Sequence, residues 1–165
     1  MDNAFVQNKL EEKFGDQVAN FEEPYGMLTF ETNKANNIKV LQFLYDDDTL
    51  NFRFLTDLTV VHYPEKKGME LAVVYHLHNL KDNVRIRFKV FADVNQPDVF
   101  TATSLYATAN WLEREAYDFF GVNFIGHPNL IRIMNVPEMN YFPLRKEFPL
   151  EDQTRIDKDD TMFGR

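Results

Sequence analysis

A chain of 165 residues, 44% hydrophobic and 27% charged, has the makeup of one ordinary globular domain with room for a tail. A net charge of −8 argues against nucleic acid as a partner and against direct adsorption to anionic lipid, because both depend on clustered Lys and Arg. With no Cys, the chain has no disulfide, no thiol nucleophile, no Cys-ligated iron–sulfur cluster and no Cys–zinc site.

In chain order, Asn3 to Phe14 has the spacing of a short amphipathic helix, with Phe5, Val6, Leu10 and Phe14 recurring and Gly15 as its stop. Val18–Phe21 and Tyr25–Glu31 read as strands joined by a turn at Glu23 and Pro24. Asn33 to Tyr45 is a second expected helix, with Ile38, Leu41, Phe43 and Leu44 as its apolar residues. Asp46, Asp47 and Asp48 then form a carboxylate run without the alternating ligands of a calcium loop, which reads as a solvated helix end and turn.

Three strands are expected next, over Phe52–Tyr63, Met69–His78 and Val84–Phe91. The last alternates most cleanly, with Val84, Ile86, Phe88 and Val90 on one face and Arg85, Arg87 and Lys89 on the other. The order α-β-β-α-β-β-β indicates an α+β, two-layer sandwich with a mixed sheet. After a polar loop from Asp93 to Thr103, a third helix is expected over about 104–120, capped by Thr103 or Ser104 and closed by Gly121 as C′ residue. Its apolar stripe would be Leu105, Ala109, Leu112, Ala116 and Phe119 or Phe120.

Beyond Gly121 lie four of the seven prolines, Pro128, Pro137, Pro143 and Pro149, among Phe124, Tyr141, Phe142 and Phe148. Proline at this density rules out regular helix and central strand, yet the stretch is too apolar to float freely. The chain therefore divides into a domain at 1–121 and an extended Pro-rich C-terminal docking arm at 122–165, exposed when the chain is alone and charged at its end. The longest apolar runs, such as Leu71 to Tyr75, fall far below the roughly 20 residues of a membrane span. The N-terminus has no signal-peptide pattern. Membrane contact is expected only through partners.

Four groupings of residues merit weighing for chemistry. His76 and His78 share a strand face at a spacing used by metal ligands, but no third ligand is near in sequence, so hydrogen-bonded strand histidines are the ordinary reading. Glu113, Arg114, Glu115 and Asp118 crowd the third helix. Arg114 can reach Asp118 at i,i+4, and the adjacent guanidinium is expected to keep these acids ionised in a pairing network. A hydrolase built from Glu115, Asp118 and His127 is a remote alternative. Arg145 and Lys146 in an extended segment suit docking onto an acidic groove. Phosphate-loop and nucleophile-elbow patterns are missing.

Two blocks carry a family resemblance. The run Glu113-Arg114-Glu115, Asp118, Phe119-Phe120-Gly121, Gly126-His127-Pro128 and Arg132 resembles the signature of the 30-kDa subunit family of respiratory complex I, NADH:quinone oxidoreductase. Pro143-Leu144-Arg145-Lys146-Glu147-Phe148-Pro149-Leu150 resembles that family's second block, in the right order and spacing. The chain departs from the pattern at Ile131, where a paired arginine is usual, and at Tyr141-Phe142, where Gly-His is usual.

The resemblance implies a cofactor-free structural or assembly subunit in the peripheral arm of a proton-translocating complex, supporting electron transfer to quinone. No flavin, cluster, metal or quinone is expected on this chain. The complex as a whole would use NADH, flavin, iron–sulfur clusters and quinone. The implied partners are the large quinone-site subunit and the terminal-cluster subunit, at the cytoplasmic face of a bacterial inner membrane. The implied interface or structural residues are Glu113, Arg114, Glu115, Asp118, Gly121, Gly126, His127, Pro128, Arg132, Pro143, Leu144, Arg145, Lys146, Phe148 and Pro149. An equivalent subunit of a membrane-bound hydrogenase or ferredoxin-linked complex is the alternative within the same class.

Overall fold

The computed structural model describes residues 1–149. Helix α1 (Asn3–Phe14) has the expected bounds. The Asp2 carboxylate caps it by accepting from the Phe5 N–H at 2.9 Å, and Gly15, at φ +52°, ends it. Strands β1 (Val18–Glu22) and β2 (Leu28–Asn33) follow, then helix α2 (Asn37–Asp46). Both β2 and α2 begin later than the sequence suggests. Tyr25 adopts left-handed backbone at φ +57° in a tight turn, which delays the strand. Asn33 still pairs with Phe91 at the end of β2, and its side chain accepts from the Ala35 N–H, which delays the helix.

Asp47 ends α2 as a turn residue, as expected of the acidic run. Burial pushes its carboxyl up, but hydrogen bonds from Thr49, Lys9 and Leu50 outweigh this and bring it down to about 2.

Strands β3 (Phe54–His62), β4 (Leu71–Asn79) and β5 (Val84–Ala92) complete a five-stranded sheet in the order β1-β2-β5-β4-β3. It is mixed, since β2 and β5 run parallel while the other neighbours are antiparallel. Its inner face joins Val6 and Leu10 of α1 and Val40, Leu41 and Leu44 of α2 in one core. Aromatics dominate the middle of that core. Phe30 and Tyr75 are the register partners of Phe88 from either side, and the rings stack at 5.3 and 4.7 Å. The outer face carries the polar half of each strand: Arg87 donates to Thr29 at 3.2 Å and Lys89 pairs with Glu22 at 3.3 Å.

The expected loop at 93–103 contains a short strand, β6 (Asp98–Phe100). Helix α3 (Ala109–Phe120) starts later than expected, because Leu105 and Tyr106 both donate to the Ala102 carbonyl in a turn. The Tyr106 hydroxyl is anchored on the Phe52 carbonyl at 2.7 Å. Strand β7 (Asn123–Ile125) pairs parallel with β6, bringing the chain back beside the start of α3. Residues 126–149 then run without helix or strand, as a strap that folds back onto α3. The last part of the expected arm, 150–165, lies outside the described residues.

Candidate functional site: the third helix and its strap

At ~100° per residue, Arg114 and Asp118 project within ~40° of each other, while Glu113 and Glu115 are ~160° apart. Glu113 falls on the same stripe as Ala109 and Ala116 and is buried with them, Asp118 is buried at the C-terminal end, and Glu115 is exposed. Leu112, expected inside, is only half-buried.

Asp118 is the organising group. Its Oδ2 accepts from the successive N–H groups of Ile133, Met134 and Asn135 at 3.0, 2.7 and 3.0 Å. Its Oδ1 accepts from Asn135 Nδ2 at 3.0 Å and Arg132 Nη1 at 2.7 Å. Burial pushes the carboxyl up, but these donors outweigh it and hold Asp118 far below the usual carboxylate range. The expected Arg114–Asp118 pair does not form. Arg114 instead lies over the Trp111 ring, 4.9 Å from its centroid, and donates to the Ile131 carbonyl at 3.2 Å. Arg132 takes its place because the strap passes directly over the inward-facing carboxylate.

The strap also finishes the helix. The last carbonyls of an α-helix lack partners within it and carry partial negative charge. Here Asp118 O accepts from Arg132 Nη1 at 2.7 Å, Phe119 O from the Leu144 N–H at 3.2 Å, and Phe120 O from Arg145 Nε at 2.8 Å. Arg132 Nη2 donates further to the Met139 and Tyr141 carbonyls, both at 2.9 Å. The Phe142 ring meets both guanidinium groups, with its centroid 5.0 Å from Arg132 and 4.7 Å from Arg145. Gly121, at φ +77°, sits against this ring, and a Cβ there would overlap it. Phe142 is therefore part of the site, although the family pattern would place a different residue there.

At the other end of α3, His127 accepts the Asn129 N–H on Nδ1 at 3.0 Å, so its Nε2–H donates to the Asn110 carbonyl at 3.1 Å. Gly126 supplies the left-handed turn before it at φ +84°. The Glu115, Asp118 and His127 trio is not brought together. Asn110 and Asp118 are about 12 Å apart along the helix axis, and Asp118 is saturated. His78 bonds to Asn83 at 3.0 Å, whereas His76 lies 3.8 Å from Asp57 with its buried Nδ1 unpartnered, and no metal-ligating cluster of three exists among the described residues.

Glu113 also departs from expectation. Its carboxylate accepts from the Thr101 hydroxyl at 2.5 Å and the Ala102 N–H at 2.6 Å, with no cation partner among the described residues. Burial pushes it up to about 7 in spite of these two bonds. Burial without a counter-charge thus works against the ionisation expected of Glu113.

The strap ties its backbone inward and turns apolar side chains outward. Met134 is 70% exposed and Trp111, on α3, 61% exposed; Ile131, Val136, Tyr141 and Leu144 are exposed as well. Lys146 donates its N–H to buried His62 at 3.0 Å and leaves its side chain in solvent. Pro128 and Pro149 are exposed, and Phe148 packs on Tyr141 with ring centroids 5.0 Å apart. Pro143 is half-buried.

Residues 30–154 match the family described as respiratory-chain NADH dehydrogenase, 30 Kd subunit. The C subunit of NADH-quinone oxidoreductase from Citrifermentans bemidjiense is 40% identical over 147 residues, 89% of each chain. The Streptomyces coelicolor protein of that name is 43% identical over 76% of this chain, which spans only 50% of that relative's length. Among solved structures, the trypsin-resistant fragment (1-134) of Nqo5 superposes with a TM-score of 0.64 at 30% identity, covering 76% of this chain and 98% of that one. A chain of the membrane-bound sulfane sulfur reductase, an archaeal respiratory membrane complex, shares the fold at a TM-score of 0.76 and 24% identity, covering 94% and 95%. With its signature residues in place around α3, the chain belongs to the 30-kDa subunit family of respiratory-chain NADH dehydrogenase.

Proposed function

We propose that this chain is a structural subunit of NADH:quinone oxidoreductase that carries no reaction centre and presents a rigid apolar surface to its neighbours. The carrying observation is the strap: Arg132 and Arg145 are committed to the end of α3, while Ile131, Met134, Val136, Tyr141 and Leu144 face outward beside Trp111. An exposed run of large apolar and aromatic residues marks an interaction site. Of the 122–165 arm, residues 126–149 act by lying along α3 and displaying this ridge rather than by hanging free.

The neighbours in this reading are the large quinone-site subunit and the terminal-cluster subunit of the peripheral arm. The chain sits on the cytoplasmic face of the bacterial inner membrane. No helix among the described residues is long and apolar enough to cross a membrane, so partners hold it there. NADH, flavin, clusters, quinone and proton translocation belong to the complex as a whole.

Replacing Met134 and Val136 together by Lys tests the proposal. Both side chains point to solvent, so thermal unfolding of the isolated chain should be unchanged within about 0.5 kcal/mol. Incorporation into the membrane complex should fall at least tenfold. Normal assembly of the variant would refute the docking role.

A further inference from the structure

Glu113 is a carboxylic acid with no exposed surface and no cation partner among the described residues. Its two hydrogen bonds both cross from α3 to one segment, Thr101 and Ala102, which follows β6. That segment is itself pinned by the Thr101 N–H to the Ile125 carbonyl of β7 at 3.0 Å. A single carboxyl therefore joins the N-terminal half of α3 to the small β6–β7 sheet.

The groups facing it are few. From β4 comes Tyr75, wholly buried, whose phenol is held undissociated first by burial and then by the Glu113 charge. From α2 comes Asn37, which is neutral, donates to the Phe100 carbonyl at 2.8 Å and has an unpartnered buried Oδ1. β3 contributes apolar Leu55, Leu58 and Val60 to the shared core. Of its titratable residues, Asp57 lies 3.8 Å from His76 on the outer face, and His62 accepts from the Lys146 N–H. Neither β6 nor β7 brings a charge to it, since Asp98 is bonded to Asn123. On α3 itself, Arg114 leans over Trp111 and Asp118 is taken by Arg132.

We propose that Glu113 is a proton-operated latch, which when neutral seals the N-terminal half of α3 onto Thr101 and Ala102 and when ionised favours opening of that contact toward water. The physical basis is that a buried charge without a counter-charge is stabilised by whatever motion hydrates it. The sign follows from the carboxyl being raised above its ordinary value. The closed state is fully favoured below pH 4.5 and loses that advantage as pH rises to about 7. The latch rests on this chain's own geometry and holds whether or not the docking role is correct.

Amide hydrogen exchange on the full chain tests it, with protection of the Ala102 N–H measured from pH 4.5 to 8 and corrected for the intrinsic pH dependence of exchange. Protection should fall by up to about tenfold per pH unit until pH 7 and then level off. In Glu113→Gln, whose amide can keep both bonds, protection should be flat. Glu115→Gln, altered at an exposed position on the same helix, should behave as the native chain. Independent of any variant, the Glu113 side-chain carboxyl resonance, assigned through the backbone of the native chain, should titrate near pH 7. A midpoint in the ordinary carboxylate range, or the same pH dependence in Glu113→Gln, would overturn the latch.

Discussion

Asp118 and Glu113 are five residues apart on one helix and both are buried, yet their surroundings push them in opposite directions. Asp118 meets three successive N–H groups and a guanidinium, whereas Glu113 meets one hydroxyl and one N–H. Because the Asp118 carboxyl is depressed, the stability it contributes is complete above about pH 4 and drains away as pH falls further. Asp118→Asn should cost about 3–5 kcal/mol at neutral pH, since it strands Arg132 and several N–H groups. Denaturant titrations at pH 7 and pH 3 check this: the gap between native and variant should narrow in acid. Gly121→Ala should be destabilised by left-handed backbone strain of about 1–2 kcal/mol and by the displaced Phe142 ring. In a double-mutant cycle with Phe142→Ala, the two costs should be smaller together than summed. Motif spacing makes Asp118, Gly121, Arg132 and Arg145 visible in the sequence. It does not show which cation Asp118 takes, because i,i+4 geometry favours Arg114 and knows nothing of a strap folding back from fourteen residues away. Glu113 is hidden for a related reason: residue type puts the apolar stripe through Leu112, while the true buried stripe runs through an acid.

At the scale of elements, α3 and the strap form one unit, because three carbonyls that the helix cannot satisfy are satisfied by residues 132, 144 and 145. This changes the expectation of an arm exposed in the lone chain. The Arg132 side chain is only 8% exposed and is held by four hydrogen bonds, so the bond following it should resist trypsin in the isolated protein. In Asp118→Asn the same bond should become an early cleavage site, read by mass spectrometry of the digest. Helix α1 is legible to the residue because its cap and its glycine stop are both local. α3 is not, because its start is set by Tyr106 reaching the distant Phe52 carbonyl. β6 and β7 have only three residues each, too short for alternation to show, and their pairing joins positions 25 apart.

For the whole molecule, the high aromatic content resolves into two uses. One set, Phe30, Phe88 and Tyr75, stacks across the sheet and fixes its register from within. Another, with Trp111 and Tyr141 among its members, stands exposed along α3 and the strap. The two-layer α+β arrangement is legible from element order and strand alternation, while the identity of the strands that pair in parallel, β2 with β5, depends on non-local contacts that no local pattern encodes. The core thus builds a plate, and the strap lines one edge of it with exposed apolar side chains, the surface to which the docking role is proposed. The most direct measurement is affinity purification of the tagged full chain from native membranes, with the co-purifying chains identified and NADH-dependent quinone reduction assayed. The expected result is recovery of NADH:quinone oxidoreductase subunits together with that activity. Recovery of the chain alone, or with subunits of a complex that does not oxidise NADH, would contradict it.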